Sequence, residues 1–384
     1  MPEVNVKLNV IRWAYNQSDE KILGEKLVKH IKEWLDGVKL PTFNQIQEFS
    51  KKSHIPLGYF FLKEPPVEKI DLLSYRTIDS YKLEKPSRNL IDTIREMELI
   101  QEWMSDYRHF IEADELGIVG SMQNNNNYLE ISRTIRKDLN LNKNWHTSCK
   151  DVTSAFNYLR NLLENIGIIV MVNSVVGNNN HRPLDINEFR AFVMVNKIAP
   201  LIFINGTDSK AARLFSLFHE LAHIWIGISN LYNDTNNTLE GVNKVESICN
   251  AVAAELILPN DIFLIEWENN FNDHQEKIKK ISMKYYCSEV VVARKALDNK
   301  KINYDDYISI VLNSIKNFNI SKVKNTTGGD YYNTMKSRLD RIFVRALCDS
   351  VNTGRTSYTE AYRLTNTSSK TFAKVVEKFG GTLW

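Results

Sequence analysis

The spacing of hydrophobic and polar positions changes along the chain, and each change predicts a different type of element. Apolar side chains recur three and four residues apart in 86–112, within 9–62 and at about 152–165, which predicts helices. Three short runs are instead rich in β-branched and aromatic residues. These runs predict strands at 166–172, 189–195 and 201–205.

The helical spacing returns after the last predicted strand. The run AARLFSLFHELAHIWIG predicts one helix, and an Asn-rich loop is expected at 230–237. A second helix is predicted at about 245–258, where Pro259 ends it. Residues 275–297 are again helical in pattern. The fold class predicted from this order is α+β, mostly helical, with a small β-sheet that carries one central helix.

Composition places the chain among soluble globular proteins. Apolar residues make up 43% and charged residues 25% of its 384 residues, and the net charge is only +3. No apolar run approaches the roughly 18 residues needed to span a bilayer, and the N-terminus lacks the apolar segment of a signal peptide. The cysteines are far apart and fit a reducing compartment; they are Cys149, Cys249, Cys287 and Cys348. We expect a cytoplasmic protein with no membrane partner.

The sequence FHELAHIW contains the strongest chemical signal. His219 and His223 are four residues apart, so on a helix both imidazoles point in the same direction and can bind one ion. Glu220 follows the first histidine, where its carboxylate can reach a water that the metal activates. H-E-x-x-H is the arrangement of zinc hydrolases. Two histidines can also be ordinary core residues, but burying them with a glutamate in so apolar a helix is costly without compensation.

The third metal ligand has three candidates, Glu240, Glu246 and Glu255. Glu246 and Glu255 are nine residues apart on one predicted helix and face opposite directions, so both cannot bind the ion. We prefer Glu246, because Asn250 lies four residues later on the same face and can orient a ligand. Glu255 is then expected to be a solvated carboxylate.

Taken together, this region resembles the ImmA/IrrE family of metallopeptidase-like proteins over roughly residues 150–260. The pattern is a strand ending in Asn, an Arg before an aromatic residue, H-E-x-x-H, and then E-x-x-x-N-x-x-A-A-x-x-x-x-P. It is carried by Asn205, Arg213, Phe215, His219, Glu220, His223, Glu246, Asn250, Ala253, Ala254 and Pro259. The resemblance implies a zincin-like core with one Zn²⁺ per chain, bound by His219, His223 and Glu246, and Glu220 as general base.

The function expected from this resemblance is zinc-dependent cleavage of a protein substrate. The family is implicated in cleaving or derepressing transcriptional repressors, so a repressor or an antitoxin-like regulator is the expected substrate. The alternative is a non-catalytic regulator, similar to a toxin–antitoxin component, that binds DNA or a partner protein and uses zinc structurally. Glu220 separates the two, because a structural site needs the histidines but not the glutamate.

The N-terminal part is similar to the Xre-type helix-turn-helix that precedes this peptidase in many relatives. The similarity rests on WLDG at 34–37, PLGYFFLKEPP at 56–66 and SYRT at 74–77. The presumed recognition helix carries Lys29, His30 and Lys32, which makes DNA a possible partner. A second helix-turn-helix-like unit is suggested by KIKKISMKYY and the residues after it, although we favour an amphipathic pair that packs on the peptidase.

These observations divide the chain into five predicted segments. The first is the helix-turn-helix-like domain, which the Pro65–Pro66 pair ends, and a helical connector follows it. The peptidase core, a helical extension and a C-terminal helical region complete the chain. The predicted boundaries are 1–66, 67–149, 150–265, 266–327 and 328–384.

Overall fold

A computed structural model of the chain describes residues 3–70, 72, 86–232, 244–268, 273–322, 335 and 337–379. The chain forms two compact units: residues 1–74 with 81–94, and residues 75–80 with 95–384. The helix Arg88–Phe110 belongs to the first unit at its start and to the second from residue 95 onwards. The five predicted segments have different boundaries, and those stay predictions.

The first unit is a small helical bundle with an aromatic core. Trp34, Phe49 and Phe60 are buried together, with ring centroids of Phe49 and Phe60 5.0 Å apart. The last long helix begins with a capping box, in which the Thr42 hydroxyl accepts from the Gln45 amide and the Gln45 side chain accepts from the Thr42 amide. The elements are the helices Leu8–Asn16, Glu20–Leu23, Glu25–Leu35 and Phe43–Ser53 and the 3₁₀ turn Leu57–Phe61.

The second unit surrounds a four-stranded sheet with helices. Its strands are β1 (Ile169–Asn173), β2 (Ala191–Met194), β3 (Leu201–Asn205) and β4 (Asn230–Tyr232). After Arg88–Phe110, the described helices are Tyr128–Asp138, the 3₁₀ turn Trp145–Ser148, Val152–Asn165, Lys210–Ile226, Lys244–Ile257, Asn260–Glu268, His274–Lys284, Glu289–Asp298, Tyr304–Lys322, Arg341–Asn352, Tyr358–Thr365 and Ser369–Lys378. The mostly helical α+β prediction is therefore confirmed.

The sheet has the strand order β1-β3-β2-β4. β1 and β3 are parallel, whereas β2 is antiparallel to both β3 and β4. One face of the sheet contributes Val170, Val193 and Ile202 to a core shared with the H-E-x-x-H helix. The opposite face is also buried, and the stacked rings of Phe192 and Phe203 lie there with centroids 4.9 Å apart. Cover on both faces explains the almost uninterrupted apolar strands.

Two helices position the predicted metal ligands. The motif helix (Lys210–Ile226) packs on β2 and β3, and the glutamate helix (Lys244–Ile257) packs along the motif helix. The motif helix begins at Ser209, whose hydroxyl accepts from the Ala212 amide, and ends at Gly227. Gly227 has φ +83°, and a Cβ there would come within 3.0 Å of the Gly120 Cα, so both conformation and space favour glycine.

The outer edge of β1 is closed by two charged side chains. Val170 N–H donates to Asp340 Oδ2 at 2.9 Å, and Val170 C=O accepts from Arg160 at 2.7 Å. Asp340 is fully buried and also begins the helix Arg341–Asn352, where it accepts from the Phe343 amide. These side chains take the place of a neighbouring strand at Val170, and we call this the closed edge.

The three predicted strands and the two helices that follow them are confirmed, with one correction and one addition. The expected loop at 230–237 is wrong at its start, because residues 230–232 form β4 and pair with β2; residues 233–237 lie outside the described part. The helix Tyr128–Asp138 was not predicted individually, and its start is fixed by Asn127, which accepts from the Leu129 and Glu130 amides. Both elements lie next to runs of asparagine, which predict loops, and this is why the sequence pattern did not show them.

The pair His274–Lys284 and Glu289–Asp298 packs into the core of the second unit. Ile278, Ile281, Val292 and Ala296 belong to the same hydrophobic cluster as the motif helix. The favoured expectation of an amphipathic pair packed on the peptidase-like core is confirmed.

Among the described helices, none is by itself both long and apolar enough to cross a membrane. Only the helices Lys244–Ile257 and Asn260–Glu268 meet that test when taken as one segment, although they are bent by 56° relative to each other.

Candidate metal centre

The motif helix brings its two histidines together in the interior. His219 and His223 are fully buried, and their Nε2 atoms are 3.2 Å apart. A spacing of four residues places both rings on one face of the helix, as the sequence predicts. Two imidazole nitrogens this close, with their ring planes 56° apart, converge on a common point.

The glutamate helix supplies the third donor. Glu246 Oε2 lies 3.2 Å from His219 Nε2, and its Oε1 lies 3.3 Å from His223 Nε2. Donors about 2.0–2.1 Å from a tetrahedral zinc ion are separated by about 3.3 Å, so these spacings fit such an ion. His219, His223 and Glu246 are also the one group of metal-binding side chains found among the described residues. The assignment of these three as ligands remains a prediction that this geometry fits.

The electrostatics of the cluster favour a bound cation. Burial lowers the pKa of His223, which keeps its imidazole neutral and able to coordinate. Burial opposes ionisation of Glu246, but the neighbouring imidazoles of His219 and His223 hold the pKa of its carboxyl well below the ordinary value. Two neutral imidazoles and one carboxylate are a donor set that suits zinc.

Glu220 is in a different position from Glu246. It is fully buried, and neither of its carboxylate oxygens has a hydrogen-bond partner within the described residues. Burial raises the pKa of Glu220 well above its ordinary value, and repulsion from Glu246 adds to this. A buried carboxyl without protein partners is costly unless another group at the site compensates for it.

Of the other residues predicted for this region, Asn250 lies at the histidines and Glu255 does not. Asn250 Oδ1 lies 3.0 Å from His219 Nδ1, so it can fix the tautomer that leaves Nε2 free to coordinate. Glu255 points away from the histidines: it lies 3.1 Å from Lys295 Nζ and accepts from the Asn260 amide. It is half-buried and ion-paired, so the expectation of a solvated carboxylate was wrong. Glu240 lies outside the described residues.

Sequence reasoning missed Asn230, which the structure places at the site. Its Nδ2 lies 2.9 Å from Glu246 Oε1 and 3.3 Å from His223 Nε2. The sequence predicts an Asn-rich loop here, because the three residues of β4 are too few to show the pattern of a strand.

The residues that precede the motif support the start of its helix. Asn205 is fully buried, donates to the Phe189 carbonyl and accepts from the Thr207 amide, which fixes the turn after β3. Burial lowers the pKa of Arg213, and nearby Asp208 partly opposes this shift. The ring centroid of Phe215 lies 6.5 Å from that of His219. The hydrogen bonds of Asn205 therefore fix the turn that leads from β3 into the motif helix.

The residues proposed to contact DNA lie in the first unit on the helix Glu25–Leu35. Lys29 and Lys32 are exposed, whereas His30 is half-buried and stacks on Trp34 with ring centroids 6.4 Å apart. His30 Nδ1 also lies 3.6 Å from Glu33. Two lysines remain available for phosphate contacts on this helix, and DNA binding stays a prediction.

Comparisons with known proteins bear on two segments of the second unit. The family model of the IrrE N-terminal-like domain (Peptidase M78) matches residues 163–297, about a third of the chain. A domain of unknown function (DUF8813) matches residues 339–378. No curated protein and no solved structure matches the chain. The match over 163–297 contains His219, Glu220, His223 and Glu246, supports the ImmA/IrrE resemblance for this segment, and suggests a domain of the peptidase type.

Proposed function

We propose that this protein is a zinc-dependent metallo-endopeptidase whose substrate is another protein. The observation that carries the proposal is the buried Glu220 beside the histidine and glutamate donors, with no protein partner for its carboxylate within the described residues. A carboxyl in that position is able to exchange protons with a reacting group. The match to the M78 peptidase family supports the same reaction class.

His219, His223 and Glu246 would hold the ion, and three protein donors are one fewer than a closed structural zinc site uses. A zinc ion there supplies a Lewis acid that polarises a peptide carbonyl and makes a water molecule more acidic. Glu220 accepts the proton as that water attacks the carbonyl and delivers it to the leaving amine as the C–N bond breaks.

The alternative of a structural zinc site is weaker on physical grounds. A structural site is closed by four protein donors and has no use for an unpaired carboxyl next to them. Burying Glu220 at zero exposure without a partner disfavours the folded state, and a cost of this kind is typical of a residue that is kept for function. We therefore propose catalysis, and the substrate class, a repressor or antitoxin-like regulator, rests on the family resemblance alone.

The test compares Glu220→Gln with the native protein. Each purified protein is incubated with the regulators encoded beside its gene, and the products are identified by mass spectrometry. Glu220→Gln should keep its zinc and lose cleavage by about 10²–10⁴-fold, the usual contribution of a general base. Glu276→Gln is the matched control, because Glu276 is an exposed helical glutamate paired only with Lys280 in the described contacts. Equal cleavage by the Glu220 variant would contradict the proposal.

A further inference from the structure

Asn230 contacts two of the three proposed metal ligands, although it is not part of the metal-binding motif. Its side chain is buried, with the residue only 9% exposed, and Nδ2 donates to Glu246 Oε1 at 2.9 Å. The same atom lies 3.3 Å from His223 Nε2. A buried amide this close to the donors contributes directly to the arrangement of the centre.

The position of Asn230 follows from the sheet. In the β2–β4 pair, Asn230 is opposite Val193, and Val193 belongs to the core that includes the motif helix. Residues opposite each other in an antiparallel pair project to the same face, so Asn230 faces the motif helix and Leu231 faces away. Ser229 anchors the start of the strand, because its hydroxyl accepts from the Val195 amide at 2.9 Å.

The direction of the hydrogen bond determines what the amide can do. Nδ2 is a donor and cannot coordinate a cation, and its hydrogen bond uses one lone pair of Glu246 Oε1. Both carboxylate oxygens face the histidines, Oε2 at 3.2 Å from His219 Nε2 and Oε1 at 3.3 Å from His223 Nε2, and the hydrogen bond makes Oε1 the weaker donor of the two, so Oε2 is favoured to bind an ion. Fixing a carboxylate in this way favours binding through one oxygen instead of two, which keeps a coordination position free.

We propose that Asn230 is a positioning residue of the metal centre, which holds Glu246 in one-oxygen coordination and so keeps the fourth position open. This inference rests on the metal site of the proposed function, but not on peptide cleavage. Asn230 and Asn250 then act as a pair: Asn250 orients His219, and Asn230 orients Glu246. The two amides come from different elements, β4 and the glutamate helix.

The first experiment measures zinc affinity of the full-length protein by competition with a chromogenic chelator. Asn230→Ala should bind zinc about 10–100-fold more weakly, the usual effect of losing a group that orients a ligand. Ser229→Ala is the matched control, because it loosens the same strand without touching a ligand, and it should bind zinc as the native protein does. An equal loss in the control would mean that strand anchoring is responsible, and it would overturn the proposal.

The second experiment replaces zinc with Co²⁺ and records the visible absorption. Asn230→Ala frees Oε1 to coordinate, so its spectrum should weaken as the coordination number rises, whereas Ser229→Ala should keep the native spectrum. Azide added to the native Co²⁺ protein should change the spectrum, because the fourth position is open. An unchanged spectrum in Asn230→Ala, or no response of the native protein to azide, would overturn the proposal.

These readouts separate the positioning role from the proposed function. If the native protein binds zinc and cleaves nothing, the proposed peptidase activity is wrong. The zinc affinities and Co²⁺ spectra then still test the positioning role of Asn230. If the native protein binds neither zinc nor Co²⁺, the metal site and the role of Asn230 are both wrong. Circular dichroism of each variant without metal checks that the fold is retained.

Discussion

The two edges of the sheet use side chains for different purposes. At the closed edge, Arg160 and Asp340 bond to the backbone of Val170, so charged groups replace a missing strand. At the opposite edge, β4 pairs with β2, and its Asn230 side chain turns inward to the metal donors; we call this the site edge. Charged side chains therefore satisfy the backbone at the closed edge, whereas at the site edge a neutral amide contacts two of the proposed metal ligands.

The closed edge also connects two segments that the family models treat separately. Arg160 contacts the carbonyls of Ser337 and Leu339, and Glu164 Oε2 lies 3.1 Å from Arg341 Nε. The segment matched by the domain of unknown function therefore meets β1 through buried charges. Buried pairs of this kind are costly to break, because removing one partner leaves an uncompensated charge.

The largest expected effect is loss of metal at the site edge. The double variant His219→Ala, His223→Ala should fall from about one zinc per chain to almost none, since two of the three proposed ligands are removed. Elemental analysis of the purified protein measures the change. Asp340→Ala serves as the control from the other edge, and it should retain zinc as long as it is folded. Full zinc in the double variant would refute the assignment of the site.

The next largest effect is loss of stability at the closed edge. Asp340→Ala removes the acceptor of the buried Val170 and Phe343 amides and one of the two carboxylates near Arg160, which keeps Glu164. We expect the free energy of unfolding to fall by about 2–5 kcal/mol, because each buried amide left without an acceptor costs about 1–3 kcal/mol. Urea titration followed by circular dichroism provides the measurement.

A control separates this effect from simple loss of a helix cap. Asn127 caps the helix Tyr128–Asp138 at an exposed position, and Asn127→Ala should cost about 1 kcal/mol. If Asp340→Ala costs no more than Asn127→Ala, the closed edge is not a significant source of stability.

A third prediction compares two glutamates of the glutamate helix, Glu246 and Glu255, which we expect to have different roles. Glu246→Gln should weaken zinc binding with little effect on the stability of the metal-free protein. Glu255→Gln should retain zinc but destabilise the protein by about 1–3 kcal/mol, because Lys295 loses its half-buried partner. Zinc affinity and urea titration of both variants test the prediction. A loss of zinc affinity in Glu255→Gln with none in Glu246→Gln would reverse the ligand assignment.

The sequence predicted the site edge better from its helices than from its strand. The spacing of His219 and His223, and the shared face of Glu246 and Asn250, follow from the geometry of one helix each, so local sequence determines them. Asn230 depends on β4 pairing with β2, a contact between distant residues. Three residues are too few to give a clear alternation, and the neighbouring asparagines favoured a loop.

The closed edge could not be predicted for a similar reason. Arg160 and Asp340 are 180 residues apart in the sequence, and each looks like an ordinary charged residue in its own segment. Asp340 precedes a helix, which predicts a cap, but nothing in its neighbourhood indicates that its other oxygen reaches a strand. Tertiary contacts of this kind become visible only when the fold is known.

The smallest expected effect concerns acid, and it involves the support of the glutamate helix. Trp145 Nε1 donates to the Leu256 carbonyl at the end of that helix, and the neighbouring His146 packs on Tyr285 with ring centroids 4.3 Å apart. Burial lowers the pKa of His146, and repulsion from Lys284 adds to this. Lowering the pH should therefore protonate His146 and destabilise the packing next to Trp145, which contacts the end of the glutamate helix.

The sign of the effect follows from proton binding. The unfolded chain has an ordinary histidine pKa of about 6.5 at this position, so it binds more protons than the folded chain between that value and the lowered folded pKa. The stabilising contribution of neutral His146 is complete above about pH 6.5 and is lost as the pH falls below it. His146→Phe keeps a ring on Tyr285 and removes the titration, so its free energy of unfolding should fall less between pH 7.5 and 5 than that of the native protein. An identical slope in His146→Phe would exclude His146 as the acid-sensitive group.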